Sequence, residues 1–232
     1  MKRSKRYRQV FEKIDRNREY PVEDAVKIMK ETSTAKFDET VEIAMKLGVD
    51  PRHADQMVRG TVALPFGTGK KVRVLVFTKG DKVQQALDAG ADYAGLEEYI
   101  EKVQGGWLEF DVAVASPDVM GMVGKLGKIL GTRGLMPNPK SGTVTQNVDL
   151  AVKEIKAGKI DFRVDKTGIV HTGIGKVSFS EENIVQNIKT FVNAIIKLRP
   201  ASAKGTYLRS ISISSTMGPG IYLDKNVSSY TS

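Results

Sequence analysis

Cysteine is absent from this 232-residue chain, histidine occurs twice and tryptophan once. Without cysteine there is no disulfide framework, no thiolate metal site and no cysteine nucleophile, a composition that fits a reducing cytoplasm. Long apolar runs are missing as well. The basic opening MKRSKRYRQV is not followed by a hydrophobic segment, so neither a signal peptide nor a membrane anchor is expected. Catalytic motifs are equally scarce. His53 and His171 stand in unrelated surroundings, and no Gly-x-Ser-x-Gly, His-x-x-x-His or metal-spaced carboxylate set occurs. Glu97-Glu98 and Glu181-Glu182 open predicted helices, where they suit the helix dipole better than acid–base work. Gly67-Thr68-Gly69-Lys70 fails the spacing of a phosphate-binding loop, with Leu64 where a glycine is needed and Lys71 where a hydroxyl is needed. It reads as a linker turn. No enzyme activity, metal or cofactor is expected.

Acidic residues are missing from three long tracts, and this is the most informative absence. The net charge is +9, from 36 basic and 27 acidic residues. Residues 1–8 carry Lys2, Arg3, Lys5, Arg6 and Arg8 with no acid. Lys125, Lys128, Arg133 and Lys140 lie between Asp118 and Asp149, and Lys189, Lys197, Arg199, Lys204 and Arg209 lie between Glu182 and Asp224, again with no acid between those limits. One such run is ordinary solvated surface. Three favour a polyanion, with nucleic acid the first candidate.

The hydrophobic periods divide the chain into three stretches. Residues 1–17 read as a basic helix or arm, Pro21 opens a helix through about Lys30, and Phe37 to Leu47 alternates as a half-buried strand. Pro51 to Gln56 reads as a short helix and Gly60 to Leu64 as a strand. After the break at residues 65–69, apolar strands at 71–77 and 109–115 alternate with helices near 81–89, 96–103, 117–130 and 148–157, with a further strand read at 143–145. That pattern predicts a three-layer α/β unit with a mainly parallel sheet. Beyond Gly158 come strands at 160–165 and 168–172, read as a hairpin across Lys166-Thr167. A short strand at 176–179 and a helix at 181–198 follow, then the strand and turn Ser210 to Gly220, SISISSTMGPG. The tail after Asn226 is polar and reads as frayed.

Each terminal piece alone is too small to be comfortably stable. The economical architecture is therefore α/β and α+β in two domains. A discontinuous α+β domain (1–66 plus 160–232) receives an inserted three-layer Rossmann-like α/β domain (67–159).

Two stretches suit RNA. Ser210, Ser212 and Ser214 form a row of hydroxyls leading into a glycine-rich turn. Taken alone this is an ordinary edge strand, yet it could seat a phosphate, a sugar or a base edge. Gly124-Lys125-Leu126-Gly127 matches the Gly-x-x-Gly core of a KH loop, and its continuation through Lys140 offers free amides and unopposed cations. Beside these, Lys36-Phe37 sets an aromatic next to a cation just before a strand.

Together the segments GKLGKILGTRGLMPNPKSGTVT (Gly124–Thr145), KFDETVEIAMKLGVDPR (Lys36–Arg52) and STMGPG (Ser215–Gly220) resemble the ribosomal protein L1 family, the proteins of the mobile large-subunit stalk beside the tRNA exit site. The resemblance spans essentially the whole chain. It implies two hinged domains, the first being the principal rRNA-binding surface. Its contacts would be Lys36, Phe37, Thr40, Lys166, Thr167, Gly168, Ser210, Thr216, Met217 and Gly218, to which the basic opening tract adds Arg3, Lys5 and Arg6. The second domain would touch rRNA more weakly through Lys125, Lys128, Arg133 and Lys140. It further implies a cytoplasmic protein, monomeric outside the ribosome. Such a protein would bind deacylated tRNA during its release, and would bind its own operon mRNA as a translational repressor. Gly220-Ile221-Tyr222 departs from the family pattern, and no contact is placed there. The competing readings are a nucleotide-using enzyme built on the α/β unit and a free-standing mRNA regulator.

Overall fold

In the computed structural model, which describes residues 4–15 and 17–230, the chain opens with helix α1 (Lys5–Phe11). Ser4 caps it by accepting from the Tyr7 amide. Pro21, already at a helix-compatible φ of −54°, precedes α2 (Val22–Thr32). That helix buries Val22, Ala25, Val26 and Met29, a stripe of helical spacing. Strand β1 (Thr40–Leu47) then alternates strictly, with Val41, Ile43, Met45 and Leu47 buried. Phe37 lies before the strand and is exposed. A single 3-10 turn at Ala54–Gln56 replaces the short helix expected over 51–56, and β2 (Arg59–Ala63) follows.

The middle of the chain runs β3 (Val74–Phe77), α3 (Asp81–Asp88), β4 (Tyr93–Gly95), α4 (Glu97–Gln104) and β5 (Val112–Ala115). The expected helix over 117–130 is instead a chain of short turns. These are two 3-10 segments, α5 (Met120–Val123) and α6 (Gly127–Thr132). Gly121, Gly124, Gly127 and Gly131 recur through it, and each is about 1 kcal/mol poorer in a helix than alanine. Helix α7 (Val148–Lys156) closes this part. The chain then returns through β6 (Lys159–Arg163), β7 (Ile169–Lys176), α8 (Glu181–Lys197), β8 (Leu208–Ser215) and β9 (Ile221–Leu223).

Two compact units result, Met1–Gly69 with Asp161–Ser232, and Lys70–Ile160. In the first, four strands form a sheet in the order β7-β1-β8-β9. Strand β1 comes from the start of the chain and both its neighbours from the end, antiparallel on either side. Its buried face meets α2 and α8, which contribute Val26, Met29, Ile184, Ile188, Phe191 and Ile195. Each such side chain contributes roughly 1.5–3 kcal/mol by leaving water. Asn187 of α8 is polar and fully buried in that layer. Its amide donates to the Gly67 and Ile174 carbonyls and accepts from the Phe66 amide, so its burial is satisfied. Among the described residues, no helix packs on the opposite face of the sheet, where Glu42 and His171 are exposed.

In the second unit the parallel sheet runs β4-β3-β5. Leu75, Phe77, Ala113 and Ala115 point to one side, against Ile100, Val103, Val123, Leu126 and Leu130. Val74, Val76 and Val114 point to the other, against Ala86, Val148, Val152 and Ile155. Both sheet faces are therefore covered, giving three layers. Thr143 to Thr145 adds an isolated parallel bridge, Ala115 to Val144, instead of a full strand.

The expected hairpin across Lys166-Thr167 is corrected by the sheet pairing. Strand β6 pairs with β2 while β7 pairs with β1, so the turn joins two different sheets. The strand read at 176–179 is the end of β7 followed by a turn. The tail is not frayed up to Tyr230, whose ring is buried and whose hydroxyl donates to the Asp224 carbonyl at 2.6 Å.

Candidate nucleic-acid interface

Glu39 organises one end of the helix-free sheet face. It is 1% exposed, and its carboxylate accepts from Ser33 Oγ (2.6 Å), the Ala35 amide (3.2 Å) and the Met217 amide (2.8 Å). Burial opposes its charge, but the hydrogen bonds from Ser33 and from the Met217 and Ala35 amides prevail, holding the pKa below the ordinary glutamate value. One carboxylate thus binds the loop after α2 to the turn after β8. Beside it the Thr40 amide donates to Thr216 Oγ1 at 3.0 Å. Lys176 Nζ donates to Thr40 Oγ1 at 2.9 Å, and Asp38 accepts from the amide and hydroxyl of Ser178.

On this frame stand two large apolar side chains, Phe37 at 56% and Met217 at 51% exposure. Lys36 is exposed next to them. Gly218 follows Met217, and a Cβ there would lie 2.5 Å from Ser215 Oγ, so the turn admits only glycine without displacing Ser215. Arg6 Nη1 reaches Thr34 Oγ1 at 3.1 Å, bringing the basic first helix to the loop that carries Lys36. Lys5 is exposed at the start of that helix, and Arg3 lies outside the described residues.

The other end of the same face is built by Asp165-Lys166-Thr167-Gly168. Asp165 Oδ1 accepts from the Thr167 amide and hydroxyl and from the Ile169 amide. The Thr167 hydroxyl and the Ile169 amide chiefly pull its pKa down to about 2. Gly168 takes φ +79°, and its carbonyl accepts from the Leu47 amide at 2.8 Å, docking the turn on the end of β1. Lys46 Nζ bonds to the Thr167 carbonyl, and Lys46 lies opposite both Ile169 and Ser210. The two ends are separated by the length of β1, about 24 Å at ~3.4 Å per residue.

Between them runs a row of small and polar groups. His171, Ala44, Ser212 and Tyr222 lie abreast across the four strands, and Gly173, Glu42 and Ser214 form the next row. No motif in the sequence marks Lys46, Lys176, Glu42, His171 or Tyr222 as a site. Glu42 and Lys46 share the alternation that exposes one side of β1, which was the available signal. Tyr222 had none, because β9 is too short to show a period.

Such a face suits folded RNA. Short hydroxyls on a rigid sheet reach ribose and base edges, exposed Phe37 and Met217 offer apolar contact to unstacked bases, and flanking lysines meet phosphates. Catalytic geometry is not assembled: His53 and His171 are surface groups beside Asp50 and Asp165, and no metal-holding cluster occurs among the described residues.

Lys125, Lys128, Arg133 and Lys140 belong to the second unit, exposed and free of ion pairs among the described residues. The Gly-x-x-Gly segment 124–127 is helical, so it is not a KH-type loop. Asn138 instead organises the following loop, accepting from the Lys140 amide.

An exposed sheet face flanked by cations defines a class, the candidate nucleic-acid binders, and comparison gives the family. The chain belongs to the ribosomal protein L1p/L10e family, whose model matches residues 29–219. It is accordingly a structural protein of the large ribosomal subunit, not an enzyme. One relative, "Large ribosomal subunit protein uL1" of Syntrophobacter fumaroxidans, is 60% identical over 223 residues, covering 96% of this chain and 95% of its own.

Proposed function

We propose that this chain binds large-subunit rRNA through the helix-free face of its four-stranded sheet. Lys36, Phe37, Thr40, Thr216, Met217 and Gly218 would grip at one end, and Lys166, Thr167, Gly168 and Ser210 at the other. Arg3, Lys5 and Arg6 would add charge. In this reading the units are two functional domains. One, formed by both termini, is the principal binding domain; the inserted Rossmann-like one holds RNA more weakly through Lys125, Lys128, Arg133 and Lys140. The protein would act as part of the mobile stalk, assist release of deacylated tRNA, and repress its own operon mRNA by binding a similar RNA shape. It would be a monomer outside the ribosome.

The observation that carries the reading is the pair of exposed apolar side chains, Phe37 and Met217, mounted on a junction fixed by buried Glu39. Two large apolar groups held by one hydrogen-bonded junction, beside exposed Lys36, are what an unstacked base and its phosphate would meet. Sedimentation of native lysate tests it. The chain is expected to travel with large subunits and to leave them at high salt, and recovery wholly in the ribosome-free fraction would sink the reading.

A further inference from the structure

Sharing Asp165 and Lys166 with one end of the sheet face lies a groove of about 780 Å³. That lies within the roughly 300–1,000 Å³ span of clefts that hold small ligands. Its apolar lining includes Met57 and buried Val164, whose amide donates to the Val58 carbonyl at 2.9 Å. Its rim is basic, with Arg52, Arg163 and Lys166 all exposed and none ion-paired among the described residues.

The wall carrying Arg52 is held by its own hydrogen bonds. Asp50 Oδ1 accepts from the Arg52 amide, and Gln56 Oε1 accepts from the Asp50 amide. The acid lining the groove is Asp165, which is exposed but engaged: Oδ1 accepts from the Thr167 and Ile169 amides, and Oδ2 lies 3.7 Å from His171 Nε2. An anion at the rim therefore meets three cations against one carboxylate, and that carboxylate is already hydrogen-bonded within its own turn. An apolar slot under a triangle of cations matches the chemistry of one nucleotide, base inside and phosphate outside.

We infer that this groove receives a single unstacked nucleotide of the bound RNA, with the base against Met57 and Val164 and its phosphates between Arg52, Arg163 and Lys166. The inference rests on the RNA-binding reading above. It extends that reading by adding a pocket for one base to the contacts that the sheet face makes.

The test uses the full chain and protein-free large-subunit rRNA. Because the chain has no cysteine, Met57→Cys carrying a benzophenone on sulfur is uniquely labelled. Irradiation is expected to cross-link it to one unpaired nucleotide. Met57→Ala is expected to weaken binding roughly five- to tenfold with an unchanged salt slope, the low end for loss of a base contact. Arg163→Gln is expected to flatten the log–log salt slope by about one. Removing the base of the cross-linked nucleotide is expected to match Met57→Ala and not to add to it. Met217→Ala, at the far end of the sheet, serves as the reference. If Met217→Ala weakens binding while both groove variants bind like the parent and no cross-link forms, the groove inference is overturned alone. If the parent chain does not bind the RNA, both readings fall.

Discussion

Thr40 and Thr216 stand 176 positions apart in sequence, yet the Thr40 amide donates to Thr216 Oγ1 at 3.0 Å. The contact joins the first strand of the chain to the turn near its end. It gives the Thr216 hydroxyl a positioning role, because the backbone of Thr40 already engages it. Two unlike effects are therefore expected in this corner, one on stability and one on affinity.

Met217→Ala should separate them. Its side chain is half in solvent, so the melting temperature should stay within about a degree of the parent's. Affinity for a large-subunit rRNA fragment should fall by roughly 1–3 kcal/mol, the scale of one good specific contact. Filter binding beside thermal melts reads both, and unchanged affinity would remove Met217 from the interface.

Glu39→Gln should instead act on the frame. The amide keeps the shape but loses charge and presents a donor toward groups that already donate. A loss of roughly 1–3 kcal/mol is expected from the orphaned donors. Because the folded pKa is lowered, Glu39 stabilises the fold above its unfolded value near 4.5 and loses that contribution as pH falls through the lower folded value. Urea melts at pH 7 and pH 3 should therefore show a smaller difference between parent and variant at the acid end.

Asp111 should dominate the acid limb of the second unit. Lys70 Nζ lies 2.8 Å from it and the Arg73 amide donates at 3.1 Å, pulling its pKa to about 2. The depressed value means its stabilisation is present above pH 4 and lost between about pH 4 and 2. Its size is at most about 2 kcal/mol, less for the exposure of Lys70. Asp111→Asn should flatten that stretch of the pH–stability curve, which urea denaturation at stepped pH would reveal.

Gly168→Ala should hurt twice. At φ +79° an L side chain costs roughly 1–2 kcal/mol, and the new Cβ would sit 3.3 Å from the Val49 carbonyl oxygen. The turn that presents Lys166 should loosen, lowering both the melting temperature and the affinity for rRNA. A variant as stable as the parent would contradict the docking of this turn on β1.

Salt dependence gives a check on the whole face. If about five phosphates are neutralised, the log–log slope of affinity against salt should lie at roughly −3.5 to −4.5. A slope near zero would place the binding energy outside the lysines named here.

Much of this was legible in the linear pattern, and the exceptions have physical causes. Val41 to Leu47 alternates because one side of β1 faces a core, and the stripe on α2 repeats because a helix turns every 3.6 residues. Pairing was not legible. Lys166-Thr167 looks like a hairpin, but β7 gains more from lying against β1, where Val170 is buried beside Met45. Tyr230 looked like tail because a single anchoring ring has no period. The Gly-x-x-Gly segment looked like a loop motif, and helical hydrogen bonds had already claimed its amides.

The sequence by itself determined the chemistry available: no thiol, no catalytic set, three acid-free basic tracts, and family motifs at both ends and in the middle. Only the tertiary structure decided which of those residues meet. Strand β1 must find partners from beyond an intervening unit of some ninety residues. Local propensity cannot encode that, because strand pairing is decided by long-range burial. The buried carboxylate of Glu39, inconspicuous in the sequence, is what turns Phe37 and Met217 from two distant residues into one surface.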